Sequence, residues 1–312
     1  MYSVIMPLLN KAPHLGRAME SVLSQTGPVF ELVIVDDGST DGSRETTEGY
    51  ARRDSRVRML LRNEAGPGGY AARNLGAQEA RFPWLGFPDA DDEWKPGFLA
   101  EIGRVRGVFP QARFVSAAYV VVERNGTVRL GRFAVDRIGS PAQLVPTPDF
   151  PKAARKGRWL AHTSSVFTER AALLELAGFP EGCCARGGDR DTWLRLIMSV
   201  PCAWTPFIGA AYRTDSVNMV TRNTPYPLEP CPLVTIREIL DQGGSDVLSS
   251  GVRRELVLLR LVYLVAWLRR KWKAGEFGSA DFGRLLHTLG NWNVSRLSAA
   301  FSRLPEKREV GK

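Results

Sequence analysis

Three carboxylates, Asp89, Asp91 and Asp92, fall within four residues, directly after the apolar run Trp84-Leu85-Gly86-Phe87. Like charges that close raise one another's pKa unless a cation sits among them. Hard oxygen donors suit Mg²⁺ or Mn²⁺, and Mg²⁺ is usually held by one or two carboxylates together with substrate phosphates. A buried strand that ends in Asp-Ala-Asp therefore points to a metal–diphosphate site, against the plainer reading of a solvated acidic loop. Two more carboxylates, Asp36 and Asp37, end the apolar run Phe30–Val35, and another two, Asp189 and Asp191, precede a helix whose apolar positions are Trp193, Leu194, Ile197 and Met198. Helix capping accounts for either member of that last pair; a general base in a cleft is the other reading.

Groups so far apart in sequence meet only if the strands carrying them end together. Ser3–Leu9 reads as a short strand closed by Asn10, and His14–Gln25 places Leu15, Ala18, Val22 and Leu23 at helical spacing. With Phe30–Val35 these make a parallel βαβ unit whose sheet is covered on both faces. Ligands of such sheets gather at the carboxyl ends of the strands, which is where Asp36 and Asp37 lie. Asp41 suits the cap of a helix to about Arg53, and Val57–Leu61 reads as a third strand. The loop Asn63–Gly69 carries glycines that let backbone approach a ligand, and the helix that follows presents its N-terminus to anions. Arg73 in that helix adds a positive fork suited to phosphate.

Further on, Pro96–Val108 reads as a helix, Arg113–Glu123 as a strand, and Asn125-Gly126 as a hairpin turn into Val128–Leu130. Residues 139–157 read as a surface loop able to close over a ligand. Trp159–Phe167 follows as strand, Glu169–Ala177 as helix and Trp204–Tyr212 as strand. Beyond Pro225, Pro227, Pro230 and Pro232 the pattern is helical over Leu233–Gln242, Val252–Lys273, Ser279–Leu289 and Val294–Leu304.

With 312 residues, 44% apolar and 24% charged, the chain has the composition of a soluble protein with a sizeable core. Cys183, Cys184, Cys202 and Cys231 show no metal-ligand spacing, and an adjacent pair is poor material for a disulfide framework. Residues Tyr2–Pro7 lack the basic start and apolar core of a signal peptide. The expectation is a reduced, cytoplasmic protein. Of the net charge of +9, residues 251–312 hold 13 Lys/Arg against 5 Asp/Glu, whereas residues 1–250 hold 29 against 28. Leu256–Leu268, interrupted by Arg260, is shorter than the ~20 residues of a transmembrane helix. It ends in Arg269-Arg-Lys-Trp-Lys273, which suits a core helix with a basic cap or an interfacial membrane anchor.

Taken together, residues 2–218 resemble the inverting family 2 glycosyltransferases of the nucleotide-diphospho-sugar transferase fold, GT-A. The stretches that carry the resemblance occur in the family's order: Val4-Ile-Met-Pro7 with Asn10, Ser21–Thr26, Val35-Asp-Asp-Gly-Ser-Thr-Asp41, Gly69–Gly76 and Asp89–Asp92. The resemblance implies an α/β fold, a Rossmann-like, mostly parallel sheet flanked by helices, with a helical C-terminal region. It implies a glycosyltransferase domain over 1–222, with a nucleotide-binding half to about 95 and an acceptor half over 96–222, followed by a basic helical region over 223–312. By the same resemblance Pro7, Asn10, Asp36, Asp37, Arg73, Asn74 and Asp89 bind the nucleotide. Asp89 and Asp91 hold Mg²⁺ or Mn²⁺, and Asp189 is the base, with Asp191 as its alternate. The donor is a nucleotide-diphosphate sugar, a UDP-sugar, and the acceptor a glycan or lipid-linked hydroxyl in surface polysaccharide synthesis, with peripheral membrane contact through the basic helices and no nucleic-acid partner. Two departures stand out: Gly188 replaces the acidic residue that relatives carry before the base, and no His follows Arg213.

Two other classes stay open at this point. A sugar-phosphate nucleotidyltransferase shares this kind of sheet and metal but wants a Gly-rich, basic signature after the first strand, where Leu8-Leu-Asn-Lys11 stands. A non-catalytic protein with a basic tail for nucleic acid is the other.

Overall fold

The structure, a computed structural model, describes residues 1–137, 139–182, 184, 186–217, 230–242, 248–276, 278 and 281. It opens with β1 (Tyr2–Leu8), α1 (Ala12–Leu23), β2 (Phe30–Asp36), α2 (Ser43–Arg53), β3 (Val57–Leu61), α3 (Tyr70–Glu79) and β4 (Trp84–Gly86). These four strands are parallel in the order β3-β2-β1-β4. Every residue of β2 is buried and β1 is nearly so, as continuous apolar runs covered on both faces must be. Gly76 sets how closely α3 lies on this sheet, because a Cβ there would come within 2.4 Å of Ile5 Cγ2. The register pairs Leu8 with Asp36 and Val4 with Gly86, so the turns after all three strands open on one edge.

The second half continues the same sheet with β5 (Glu93–Trp94), α4 (Phe98–Val108), β6 (Phe114–Val122), β7 (Val128–Leu130), α5 (Arg132–Val135), β8 (Gln143–Val145), α6 (Asp149–Ala154), β9 (Val166–Glu169), α7 (Arg170–Glu175), α8 (Gly188–Ser199) and β10 (Cys202–Arg213). Strand β9 lies antiparallel between β4 and β6, and β10 runs parallel to β6. The hairpin expected at Asn125-Gly126 joins β6 to β7. Two local expectations fail. The stretch over 139–157 is not a plain loop, because β8 pairs with β10 and α6 follows it. The strand expected from Trp159 begins only at Val166, since the small polar residues Thr163–Ser165 form a 3-10 turn.

Helices α9 (Cys231–Gln242) and α10 (Ser250–Lys273) cover the expected helices at 233–242 and 252–273; those expected at 279–289 and 294–304 lie outside the described residues, apart from Asp281. The chain forms two compact units, Met1–Arg260 and Leu261–Lys312. Helix α9 is joined to the loop before α8 by a Cys184–Cys231 disulfide with Cα atoms 6.2 Å apart. This corrects the expectation of four unpaired thiols. The pairing partner is 47 residues away, and only the fold brings it to bonding distance. Among the described residues no helix is long and apolar enough to cross a membrane.

Candidate active site

The carboxyl ends of β1, β2 and β4 supply the floor of the site. After β1 the chain turns through Asn10, whose φ of 52° lies in the left-handed region that Asn tolerates. Its side-chain oxygen accepts the Thr40 N–H at 2.8 Å, and its own N–H donates to Ser39 Oγ at 3.0 Å, so the turns after β1 and β2 hold each other. Asp36 is fully buried: Oδ1 accepts the Ser39 N–H at 2.9 Å and Oδ2 the Arg44 Nε–H at 2.8 Å. Asp37 pairs with Arg62 at 2.6 Å and accepts the Gly66 N–H at 3.0 Å, yet burial leaves its carboxyl above the ordinary range. Pro7 packs beneath the Gly-rich loop. Gly69 takes φ 65°, which favours glycine, and a Cβ there would press on Pro7 Cβ at 3.2 Å.

Arg73 and Asn74 sit on α3 and make their contacts inside the protein. Arg73 is buried, pairs with Asp89, and donates to Gly68 O at 2.8 Å. Asn74 clamps the turn after α7: it accepts the Phe179 N–H at 2.8 Å and donates to Phe179 O at 3.0 Å. Asn74 thus holds that turn in place, and Arg73 braces Asp89.

The turn Asp89–Asp92 follows Phe87-Pro88, and the Asp92 N–H closes it on Asp89 O at 3.1 Å. The three carboxylates differ in surroundings. Asp92 is buried, accepting the Ser164 hydroxyl at 2.5 Å and the Arg213 N–H at 3.0 Å; burial first, then the charges of Asp91 and Asp89, push its pKa well up. Asp91 accepts Lys11 Nζ at 2.6 Å and the Ser216 hydroxyl at 2.5 Å on the same oxygen. Asp89 is the most exposed of the three, its side chain 30% accessible beside Arg73.

Asp189 reaches this cluster through a short polar turn. Ser164 accepts the Asp89 N–H at 3.2 Å and donates to Asp92, while the adjacent Thr163 hydroxyl donates to Asp189 Oδ2 at 3.3 Å. The Gly188 N–H donates to Tyr70 Oη at 2.8 Å, and burial with the nearby Asp189 charge pushes that phenol up to about 12. Below, Trp193 of α8 meets Phe87 at 5.8 Å, Phe179 at 5.3 Å and Phe114 at 5.8 Å between ring centroids. Aromatic pairs of this kind each add about 0.5–1.5 kcal/mol beyond burial, so the start of α8 is fixed against the Asp89 turn. Asp191 faces the other way. It is buried, pairs with Arg195 at 2.9 Å and accepts the Thr235 hydroxyl of α9.

His162 lies beside the Thr163-Ser164 turn. Its ring lies 4.8 Å from Tyr119 and 4.6 Å from Tyr212, and its Nδ1 accepts the Ser164 N–H at 3.3 Å, which leaves Nε2 as the donor of the neutral ring. Burial lowers its pKa despite the Asp89 and Asp189 charges. Lys11 and Ser216 were missed, since nothing in sequence spacing links residues 80 and 125 positions from Asp91.

Mg²⁺ or Mn²⁺ held by Asp89 and Asp91, as the resemblance implies, would compete there with Arg73 and Lys11. Asp89 and Asp91 each already hold a protein cation, and among the described residues no three His, Cys, Asp or Glu side chains converge as ligands.

Residues 3–104 match the family model described as Glycosyl transferase family 2. That segment, about a third of the chain, is what is similar to glycosyltransferase family 2. Over 90 residues it is 40% identical to the uncharacterized glycosyltransferase EpsJ of Bacillus subtilis (strain 168), covering 29% of this chain and 26% of EpsJ. TuaG of the same organism, named for teichuronic acid biosynthesis, is 38% identical over 93 residues, or 30% of this chain and 36% of TuaG. The chain thus spans only about a quarter to a third of the length of these relatives. Its fold is similar to that of S. aureus TarS 1-349 in complex with UDP-GlcNAc, with a TM-score of 0.72 at 16% identity, over 93% of this chain and 80% of that one. The mannosyltransferase PcManGT from Pyrobaculum calidifontis, in complex with GDP-Man and Mn²⁺, matches with a TM-score of 0.55 at 17% identity, over 96% and 83%. The chain has the fold of these glycosyltransferase structures, GT-A.

Proposed function

We propose that this protein is an inverting glycosyltransferase that moves a sugar from a UDP-sugar to a hydroxyl of a glycan or lipid-linked acceptor in surface polysaccharide synthesis. One observation carries the reading: the Thr163-Ser164 turn bonds Asp189 with one hydroxyl and Asp92 with the next. A lone carboxylate is thereby fixed across from the strand-end turn where the donor diphosphate belongs. In the proposed step the Asp189 carboxylate takes the proton of the acceptor hydroxyl, whose oxygen attacks the anomeric carbon opposite the diphosphate. The bond from that carbon to the diphosphate oxygen breaks, and the nucleoside diphosphate leaves with the electron pair. One displacement inverts the configuration. Asn10, Pro7, Asp36 and Asp37 frame the nucleoside at the ends of β1 and β2, and Asp89, braced by Arg73, lies on the ribose side.

The relatives support the donor class: TarS is solved with UDP-GlcNAc and with UDP, and PcManGT with GDP-Man. The name of TuaG supports a polysaccharide setting. We place the enzyme in the cytoplasm, peripheral to the membrane through its basic C-terminal helices. Incubation with UDP-, GDP- and dTDP-sugars, followed by nucleoside diphosphate release and NMR of the glycoside formed, tests the reading. A retained anomeric configuration, or cleavage that yields sugar 1-phosphate and nucleoside monophosphate, would refute it.

A further inference from the structure

We propose that Lys11 is the resident cation of the Asp89–Asp92 turn, and that its ammonium group meets the donor diphosphate in the place the family resemblance gives to a divalent metal. The inference rests on the donor reading above. An ammonium group has three N–H donors. Here all three have acceptors: Asp91 Oδ2 at 2.6 Å, Ser216 Oγ at 2.9 Å and the Val217 carbonyl at 2.6 Å. The Ser216 hydroxyl reaches the same Asp91 oxygen, so carboxylate and hydroxyl together aim the lysine. The Lys11 and Asp91 side chains are each only 14% accessible.

These contacts differ in how easily they are given up. Those to Asp91 and Ser216 are part-buried, whereas the one to the Val217 carbonyl is exposed. Exchanging that neutral carbonyl for an anionic phosphate oxygen strengthens the bond and leaves the other two in place, since charge-assisted hydrogen bonds are roughly twice as strong as neutral ones. Lysine suits the task as a compact point charge on a long stem. Arg73 does the same for Asp89, so each acid of the Asp-X-Asp pair carries one fixed cation at the edge where the diphosphate arrives. A divalent ion binding at Asp91 must displace an ammonium group already seated there, and meets like charge as it approaches.

Calorimetry with UDP as the probe, on the full chain in EDTA and in Mn²⁺, tests this with wild type, Lys11→Met and Lys11→Arg. Wild type is expected to bind UDP in EDTA, Lys11→Met to bind it at least about tenfold more weakly, and Lys11→Arg to recover most of the loss, since one charge-assisted contact is worth about 1.5–3 kcal/mol. The recovery by Arg separates a charge effect from a folding defect. If UDP binds wild type only with Mn²⁺, and Lys11→Met binds it as well as wild type or better, the inference fails while the glycosyltransferase reading stands. If UDP, GDP and dTDP all fail to bind with or without Mn²⁺, the donor reading falls and this inference with it.

Discussion

Arg195 holds Asp191 at 2.9 Å, one helical turn along α8, and so removes one of the two carboxylates at the start of that helix from the cleft. Asp191 is closed off further by Thr235 of α9, whereas Asp189 faces Thr163 and the Asp89 turn. The two acids therefore separate by experiment. Asp189→Asn should lower turnover by roughly the 10²–10⁴-fold of general base loss while leaving donor affinity and melting temperature nearly unchanged. Asp191→Asn should instead destabilise the fold by about 2 kcal/mol, the scale of a lost hydrogen bond to a charged group. Kinetics and denaturant unfolding of both variants check this, and a catalytic loss in Asp191→Asn alone would exchange their roles.

Glu31 supplies a pH-dependent part of the stability far from the cleft. Its buried carboxylate accepts Ser3 Oγ at 2.6 Å, Arg58 at 2.8 Å and the Arg81 N–H at 2.7 Å, fastening β2 to β1, β3 and the end of α3. Burial by itself would raise its pKa, but the hydrogen bonds from Ser3, Arg58 and Arg81 outweigh it and hold the carboxyl below its ordinary value. With a depressed folded pKa, the stabilisation is present above the unfolded-state value of about 4.3 and is lost as pH falls through the folded one. Glu31→Gln should cost about 1.5–3 kcal/mol at pH 7, and the gap to wild type should narrow in acid. Urea unfolding at pH 7 and below pH 4 measures both; an equal gap at the two pH values would show that the charge is not the source.

The Cys184–Cys231 bridge closes a loop of 47 residues around α8 and β10. In the chain-entropy picture a loop of that length is worth about 4 kcal/mol. A reducing agent should lower the melting temperature of wild type and leave Cys231→Ser, already lowered, unmoved. Equal melting of wild type with and without reductant would mean that the thiols remain unpaired in solution.

Much of this arrangement was legible because the candidate carboxylates follow strands. The apolar run Phe30–Val35 locates Asp36 and Asp37, Trp84–Phe87 locates Asp89–Asp92, and parallel pairing then brings both to one edge. What sequence could not supply are relations set by the tertiary fold. Nothing local shows that β9 runs antiparallel between β4 and β6, or that Thr163-Ser164 breaks an expected strand to bind two acids, although the small polar run Thr163–Ser165 was a signal available to be read. Asn74 and Arg73 look alike as polar residues after a Gly-rich loop, and only the contacts show one clamping Phe179 and the other bracing Asp89. Cys184 found its partner through the docking of α9 on α8, which no cysteine spacing encodes.

The end of α10 narrows the expected membrane anchor to a few side chains. In the unit Leu261–Lys312, Trp267 is buried beneath Lys271, whose ammonium lies 5.1 Å from its ring and pairs with Asp281 at 2.6 Å. Neither Trp267 nor Lys271 is therefore available to a lipid surface, and Trp292 lies outside the described residues. Arg269, Arg270 and Lys273 are exposed, and Trp272 beside them is 72% accessible. Near an anionic surface each basic side chain contributes about 1 kcal/mol, an attraction that salt screens. An exposed indole adds the amphipathic group that settles at headgroup level. The protein should co-sediment with phosphatidylglycerol vesicles at low salt and not with phosphatidylcholine vesicles, and high salt should release it. Changing Arg269, Arg270 and Lys273 together to Gln should abolish the binding, and Trp272→Ala should weaken it, while Lys271→Gln has little effect because that charge is already paired. Absence of sedimentation with anionic vesicles at low salt would leave α10 as a core helix with a basic cap, and the acceptor would then have to reach the cleft without help from a membrane surface.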